Sequence, residues 1–212
     1  MTDEKAEIVA PSRGILFRKR CFDITVATIG LIVLSPLLSL MALAIWLDSP
    51  GTILFRQTRV GRLGKPFDII KFRTMSHVPQ KTGLMLTLEG DVRITRVGSI
   101  MRRSKLDELP QLLNVIVGDM SLVGPRPEVP ELFVHYAPAQ QATLLAIRPG
   151  LTDYATLLLR DEGALLARSG DPLAFYRESL MPLKYRLCQR YISELGFWTD
   201  IRIIVATIWS MT

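Results

Sequence analysis

The chain has 212 residues, of which 49% are apolar and 22% charged, with a net charge of +6. Its two cysteines, Cys21 and Cys188, lie too far apart for a disulfide scaffold or a zinc ribbon, and the apolar content excludes disorder. A mean hydropathy of +0.26 in so charged a chain concentrates the apolar residues in one place, and the positive charge calls for an anionic partner: nucleic acid, a phosphorylated ligand or an anionic membrane surface.

In chain order, residues 1–14 are polar and mixed, and are expected to be loosely ordered. Ile24 to Leu47 then run for 24 positions without a charge. A straight helix of that length is ~36 Å long and can cross a ~30 Å hydrocarbon core. The run starts too late and continues too long for a signal peptide. Ser35-Pro36 divides it into two arms of 11 residues. Proline removes a backbone donor and kinks a helix, and a neighbouring serine hydroxyl can partner the freed carbonyl. Three readings are open: a buried soluble helix, a spanning helix, and a hairpin that enters and returns. Arg18, Lys19 and Arg20 precede the run, and Arg56, Arg59, Arg62 and Lys65 follow it. Basic residues favour the cytoplasmic side, so basic flanks at both ends favour the re-entrant hairpin.

From Arg56 to Lys105 there are 12 Lys/Arg against 3 Asp/Glu, whereas residues 106–212 carry 9 against 12. The charge is therefore a local patch beside the apolar segment. Ile53–Gln57 and Phe67–Phe72 are predicted strands around a turn at Gly61-Arg62-Leu63-Gly64. Leu106, Leu109, Leu112, Leu113 and Ile116 recur at helical spacing and predict a helix stopped near Gly118. A second helix is predicted over about residues 172–195, with apolar and basic faces. Residues 201–211 are apolar but too short to span, and are expected to lie along a membrane or pack as core.

Three features carry chemistry. Asp107-Glu108, in RRSKLDELPQ, is an acidic pair just downstream of Arg102, Arg103 and Lys105. It can be a solvated helix start, or a pair of carboxylates kept ionised by cations and poised to attack or to bind a metal. In GDMSLVGPRPEVP, Pro125 and Pro127 hold Arg126 on a rigid loop suited to a phosphate. Arg148-Pro149-Gly150 presents another arginine on a turn. His77 and His135 are isolated and are read as non-catalytic. Phosphoryl chemistry on a lipid is the reading that uses all three features. A membrane-anchored basic module binding anionic lipid or nucleic acid explains the charge but not the acidic pair. A lipid-phosphate hydrolase is a third class.

The chain resembles the bacterial sugar transferase family, the small monotopic phosphoglycosyl transferases. The resemblance rests on KRCFD (19–23), the Ser35-Pro36 break, RQTRVGRLGKPF (56–67), KFRTM (71–75), DVRITRVGSIMRRSKLDELPQLLNVIVGDMSLVGPRPE (91–128) and RPGLTDYA (148–155). It implies an α/β, mostly α fold. A flexible N-terminus (1–17) is followed by a re-entrant membrane hairpin broken at Ser35-Pro36 (18–48). A compact catalytic domain with amphipathic interfacial helices follows (49–212), on the cytoplasmic face of the bacterial inner membrane. It implies transfer of a phospho-sugar from a UDP-sugar to a polyprenol phosphate, typically undecaprenyl phosphate, with Mg²⁺ and release of UMP, so that glycan assembly begins. Asp107 then matches the family's nucleophile, Glu108 with Asp107 its metal-holding pair, and Arg102, Arg126 and Arg148 its phosphate-binding arginines. The implied partners are the bilayer and the two substrates, with no nucleic acid; a homodimer is left open. Two departures stand out. Lys105 stands where serine is frequent, and Asp153 where many members have glycine, a position able to bear on the sugar or nucleotide.

Overall fold

In the computed structural model, residues 12–76 and 91–211 are described. His77 and residues 1–11 of the N-terminal segment lie outside them.

Ser12 caps the first helix, its hydroxyl accepting from the Ile15 N–H. This helix, α1 (Arg13–Asp48), is 36 residues long. It begins before the uncharged run and takes in residues 13–17, which the sequence reading assigned to the flexible terminus. Where two arms were expected, one helix continues through Pro36. The chemistry at the proline is the expected one. Pro36 has no N–H for the carbonyl four residues back, Ile32, and Ser35 Oγ donates to that carbonyl at 2.8 Å.

The basic segment forms an antiparallel hairpin, β1 (Leu54–Val60) with β2 (Pro66–Phe72), in register from Leu54 opposite Phe72 to Val60 opposite Pro66. A 3₁₀ turn over Arg62–Gly64 joins the strands, close to the predicted turn. Helix α2 (Arg96–Arg103) follows. The predicted helix over 106–116 is in fact two pieces, a 3₁₀ turn (Leu106–Gln111) and α3 (Leu112–Val117). Pro110 is the reason: lacking an N–H, it cannot bond to the Leu106 carbonyl, and Leu112 N–H turns to Leu109 O instead. Gly118 ends α3 with φ +110, as the sequence suggested.

Strand β3 (Ser121–Val123) leads into the proline loop, and β4 (Gly150–Thr152) pairs with it in parallel. Short helices α4 (Pro130–Phe133) and α5 (Pro138–Leu145) lie between these strands. Helices α6 (Tyr154–Leu158) and α7 (Glu162–Arg168) come after β4. The predicted helix over 172–195 is α8 (Pro172–Phe175), a π turn (Tyr176–Leu180) and α9 (Met181–Ser193). Pro182 denies the Glu178 carbonyl its usual donor, and the wider turn sits there. Helix α10 (Phe197–Met211) closes the chain. The described residues are thus mostly helical with two small sheets.

The core has three parts. Ala27 from α1, Leu112 and Val115 from α3, and Tyr191 and Ile203 from the last two helices form the first. Val129, Leu132, Tyr176 and Met181 form the second. Ile45, Phe72 and Met101 form the third. Each buried Val, Leu, Ile, Phe or Met among them contributes about 1.5–3 kcal/mol by leaving water. Helix α1 therefore belongs to the core at both ends. Between Ala27 and Ile45 it has no fully buried residue, and Ile32, Val33 and Leu40 are at least 63% exposed.

Polar contacts fix the same two ends. In KRCFD, Lys19 and Asp23 lie one helical turn apart. Lys19 Nζ is 2.6 Å from Asp200 on α10. Asp23 accepts from Ser121 Oγ at 2.7 Å and from Leu122 N–H at 3.3 Å on β3. Arg20 donates to Val115 O and Ile116 O at the end of α3, which suits a cation at a helix C-terminus. At the other end, Arg73 donates to Ser49 O and to Pro50 O.

Candidate active site

The acidic pair sits on the 3₁₀ turn, immediately after Lys105, whose φ of +57 sets the chain's direction into it. Asp107 is 8% exposed. Among the described residues, nothing donates a hydrogen bond to its carboxylate. Glu108 is bound on two sides. Lys71 Nζ, from β2, lies 2.7 Å from its Oε1. Arg126 reaches both oxygens, with Nη2 2.5 Å from Oε1 and Nη1 3.3 Å from Oε2.

The two acids therefore respond oppositely to nearly the same surroundings. Burial, and then the charge of Glu108, push the Asp107 carboxyl above the usual aspartate range, against the pull of Lys71, Arg102 and Arg126. Burial pushes Glu108 the same way, but Arg126 and Lys71 outweigh it and hold Glu108 well below the usual range. In return Glu108 raises the Arg126 guanidinium.

Every part of the proline loop is tied down. Gly124 N–H donates to Thr152 O, Pro125 O accepts from Gly150 N–H, and Arg126 N–H donates to Asp153 Oδ2. Pro127 O accepts from Arg59 Nη1, and Glu128 O from Val60 N–H. The Glu128 carboxylate accepts from the buried Tyr176 hydroxyl at 2.7 Å. A Cβ on Gly150 would lie 2.1 Å from Gly124 N, so the turns carrying Arg126 and Arg148 interlock only as glycines. Such a loop presents its guanidinium without an ordering cost at binding.

The structure brings together Asp107, Glu108, Arg102 and Arg126. Arg102, on α2, donates its Nε–H to Thr74 Oγ1 at 2.8 Å, and Asp107 and Glu108 are among the charges it faces. Arg148 is not brought to this group. Its Nε–H is bonded to Gly118 O at 2.8 Å, and the charges it faces are Arg20, Arg62 and Asp23. His135 is exposed. Sequence reasoning missed Lys71 and Arg59 as site residues. Arg59 Nε is buried without a partner, and the charges around it include Arg126, Glu128 and Glu108. Both residues lie in stretches that carried the family resemblance, which was the available signal.

Among the described residues, no group of three or more His, Cys, Asp or Glu could hold a metal. What remains is the adjacent pair Asp107 and Glu108. Mg²⁺ takes one or two carboxylates and completes its shell with water and substrate phosphates. Asp107 has oxygens available to such a cation, whereas Glu108 could join it only by exchanging bonds to Arg126 or Lys71.

A buried carboxylate that accepts no hydrogen bond among the described residues, beside a second one clamped by cations, is an arrangement that phosphoryl transfer can use. Comparison with known proteins decides the family. The family model described as bacterial sugar transferase matches residues 15–212. The chain belongs to the bacterial sugar transferase family. A UDP-glucose:undecaprenyl-phosphate glucose-1-phosphate transferase of Caulobacter vibrioides is 38% identical over 95% of this chain and 72% of its own length. One of Escherichia coli is 37% identical over 90% of this chain. A UDP-N-acetylgalactosamine-undecaprenyl-phosphate N-acetylgalactosaminephosphotransferase of Aeromonas hydrophila is 35% identical over 93% of it. The matches cover 39% and 44% of those last two relatives. This sugar transferase is thus an enzyme of sugar-phosphate transfer, and a purely electrostatic binding module is set aside.

Proposed function

We propose that the protein transfers a sugar 1-phosphate from a UDP-sugar to undecaprenyl phosphate in two steps, with Asp107 as the nucleophile. The observation that carries this reading is the contrast within the acidic pair. Asp107 is buried beside cations and accepts no hydrogen bond among the described residues, whereas Glu108 is fully engaged. An Asp107 carboxylate oxygen attacks the phosphorus next to the sugar. The bond from that phosphorus to the bridging oxygen breaks, and UMP leaves with the electron pair. The acyl phosphate formed is then attacked at phosphorus by an oxygen of the lipid phosphate, which returns Asp107 to its carboxylate. Arg126 and Arg102 hold the diphosphate, and Lys71 keeps Glu108 ionised and in place. Mg²⁺, held by Glu108 and Asp107, supplies charge neutralisation on the phosphates when bound.

The same reading has α1 re-entrant, dipping into the cytoplasmic leaflet of the bacterial inner membrane. What supports it is that both ends of α1 pack on one domain while its middle, around Ser35-Pro36, is exposed and apolar. Helix α10 adds Trp198, Val205, Ile208 and Trp209, all at least 58% exposed, a composition suited to a membrane interface.

The test is a reaction with UDP-sugar alone. The wild-type protein should release UMP up to one equivalent and gain the mass of a phospho-sugar, and Asp107→Asn should do neither. UMP release only in the presence of undecaprenyl phosphate, with no adduct, would mean direct attack by the lipid.

A further inference from the structure

The structure gives Asp153 a task. It is 7% exposed. Its Oδ1 accepts from the Thr156 N–H and from the Thr156 hydroxyl, both at 2.7 Å, which caps α6. Its Oδ2 accepts from the Arg126 N–H at 3.3 Å. Arg126 stands between two prolines, neither of which has an N–H, so its amide is the one backbone donor across 125–127. That donor spends its bond on Asp153. The same residue's guanidinium reaches Glu108. One carboxylate thus joins the first turn of α6 to the backbone from which the guanidinium extends.

We infer that Asp153 is a positioning residue for Arg126: it sets the guanidinium for the substrate diphosphate and does not read the sugar. This rests on the reading of Arg126 as a diphosphate-holding residue. Both Asp153 oxygens already accept from protein groups, and its burial leaves little surface for a ligand.

The experiment measures UDP affinity with Mg²⁺, and kcat and KM for several UDP-sugars, on the full-length protein in detergent. Asp153→Ser keeps a good cap for α6 but is too short to reach the Arg126 amide. It should lower the thermal midpoint by no more than that one lost backbone bond and weaken UDP binding about threefold to tenfold, by one common factor for every accepted sugar. Thr156→Val keeps the backbone cap and loses only the hydroxyl's bond to Asp153 Oδ1; it should lower the midpoint slightly while leaving UDP affinity unchanged. In an Arg126→Ala background, Asp153→Ser should change affinity by less than about twofold, because its route to the ligand is gone. A full additive loss in that background overturns the inference. So does a changed ranking of UDP-sugars, which would make Asp153 a direct sugar contact. Normal affinity in Asp153→Ser alongside weak binding in Arg126→Ala also overturns it, while leaving the diphosphate reading intact. Normal affinity in Arg126→Ala would sink that reading itself.

Discussion

Asp107 and Glu108 are neighbours that should answer mutation with opposite signs. Among the described residues, Glu108 is the only anion bridging Lys71 and Arg126. Glu108→Gln removes the carboxylate that pairs directly with two partly desolvated cations, leaving them only the more distant Asp107, and should cost about 3 kcal/mol of stability. Asp107 has its folded-state pKa raised, chiefly by burial, so the folded chain binds that proton more tightly than the unfolded one. Stability from this group falls as pH rises from the usual 3.8 through the raised value. Above the raised value the ionised side chain is a cost, and Asp107→Asn should raise the thermal midpoint while abolishing turnover. For Glu108 the sign reverses: its contribution is present above the usual 4.5 and is lost as pH falls toward its depressed value. Thermal midpoints of the two variants measured from pH 3 to 8 would separate these cases; a destabilised Asp107→Asn would contradict the assignment. The acidic pair itself was legible in the sequence, because adjacent acids in a basic stretch are unusual. Its division of labour was not. It depends on Lys71, 37 positions before Glu108, and only the packing of β2 on the 3₁₀ turn brings the two together.

At the scale of elements, prolines decide where the sequence reading succeeded and where it fell short. The hairpin and its turn were legible from alternation and glycine. The helix over 106–116 had the right apolar spacing, yet Pro110 converts its first half to 3₁₀ geometry. That narrower turn carries the acidic pair. In α1, Pro36 was read as a break, and the structure answers it with the Ser35 hydroxyl on Ile32 O. Ser35→Ala should strand that carbonyl and cost about 1–3 kcal/mol. Pro36→Ala returns a backbone donor to Ile32, so Ser35→Ala should be nearly neutral in that background. Thermal midpoints of the four proteins in detergent give the coupling directly. Equal costs for Ser35→Ala in both backgrounds would mean that the hydroxyl does not compensate the proline.

At the scale of the molecule, the parallel pairing of β3 with β4 was not legible, because three-residue strands leave no periodicity to read. The reading of α1 as a re-entrant element predicts that both of its ends face the cytoplasm. Arg13→Cys and Leu63→Cys, each in a Cys21→Ser background, should resist an impermeant thiol reagent in intact cells. Cys188 can stay, since burial pushes its thiol up to about 12 and keeps it unreactive. Labelling of either position alone would establish a spanning helix.

The lysine at the start of α1 finds its closest carboxylate, Asp200, 181 positions later. At about 5–20 residues per second of synthesis, roughly 10–40 s separate the two partners. Through that interval Lys19 lacks Asp200, and the tyrosine that shares this carboxylate, Tyr191, emerges only shortly before it. The apolar segment is made early and its contacts to Val115, Ser121 and Arg73 can follow, but the Lys19–Asp200 pair is the last of its polar anchors to become available. On the proposed membrane reading of α1, lipid shelters the helix before Asp200 is made, and this corner of the domain closes onto a helix already held by the bilayer.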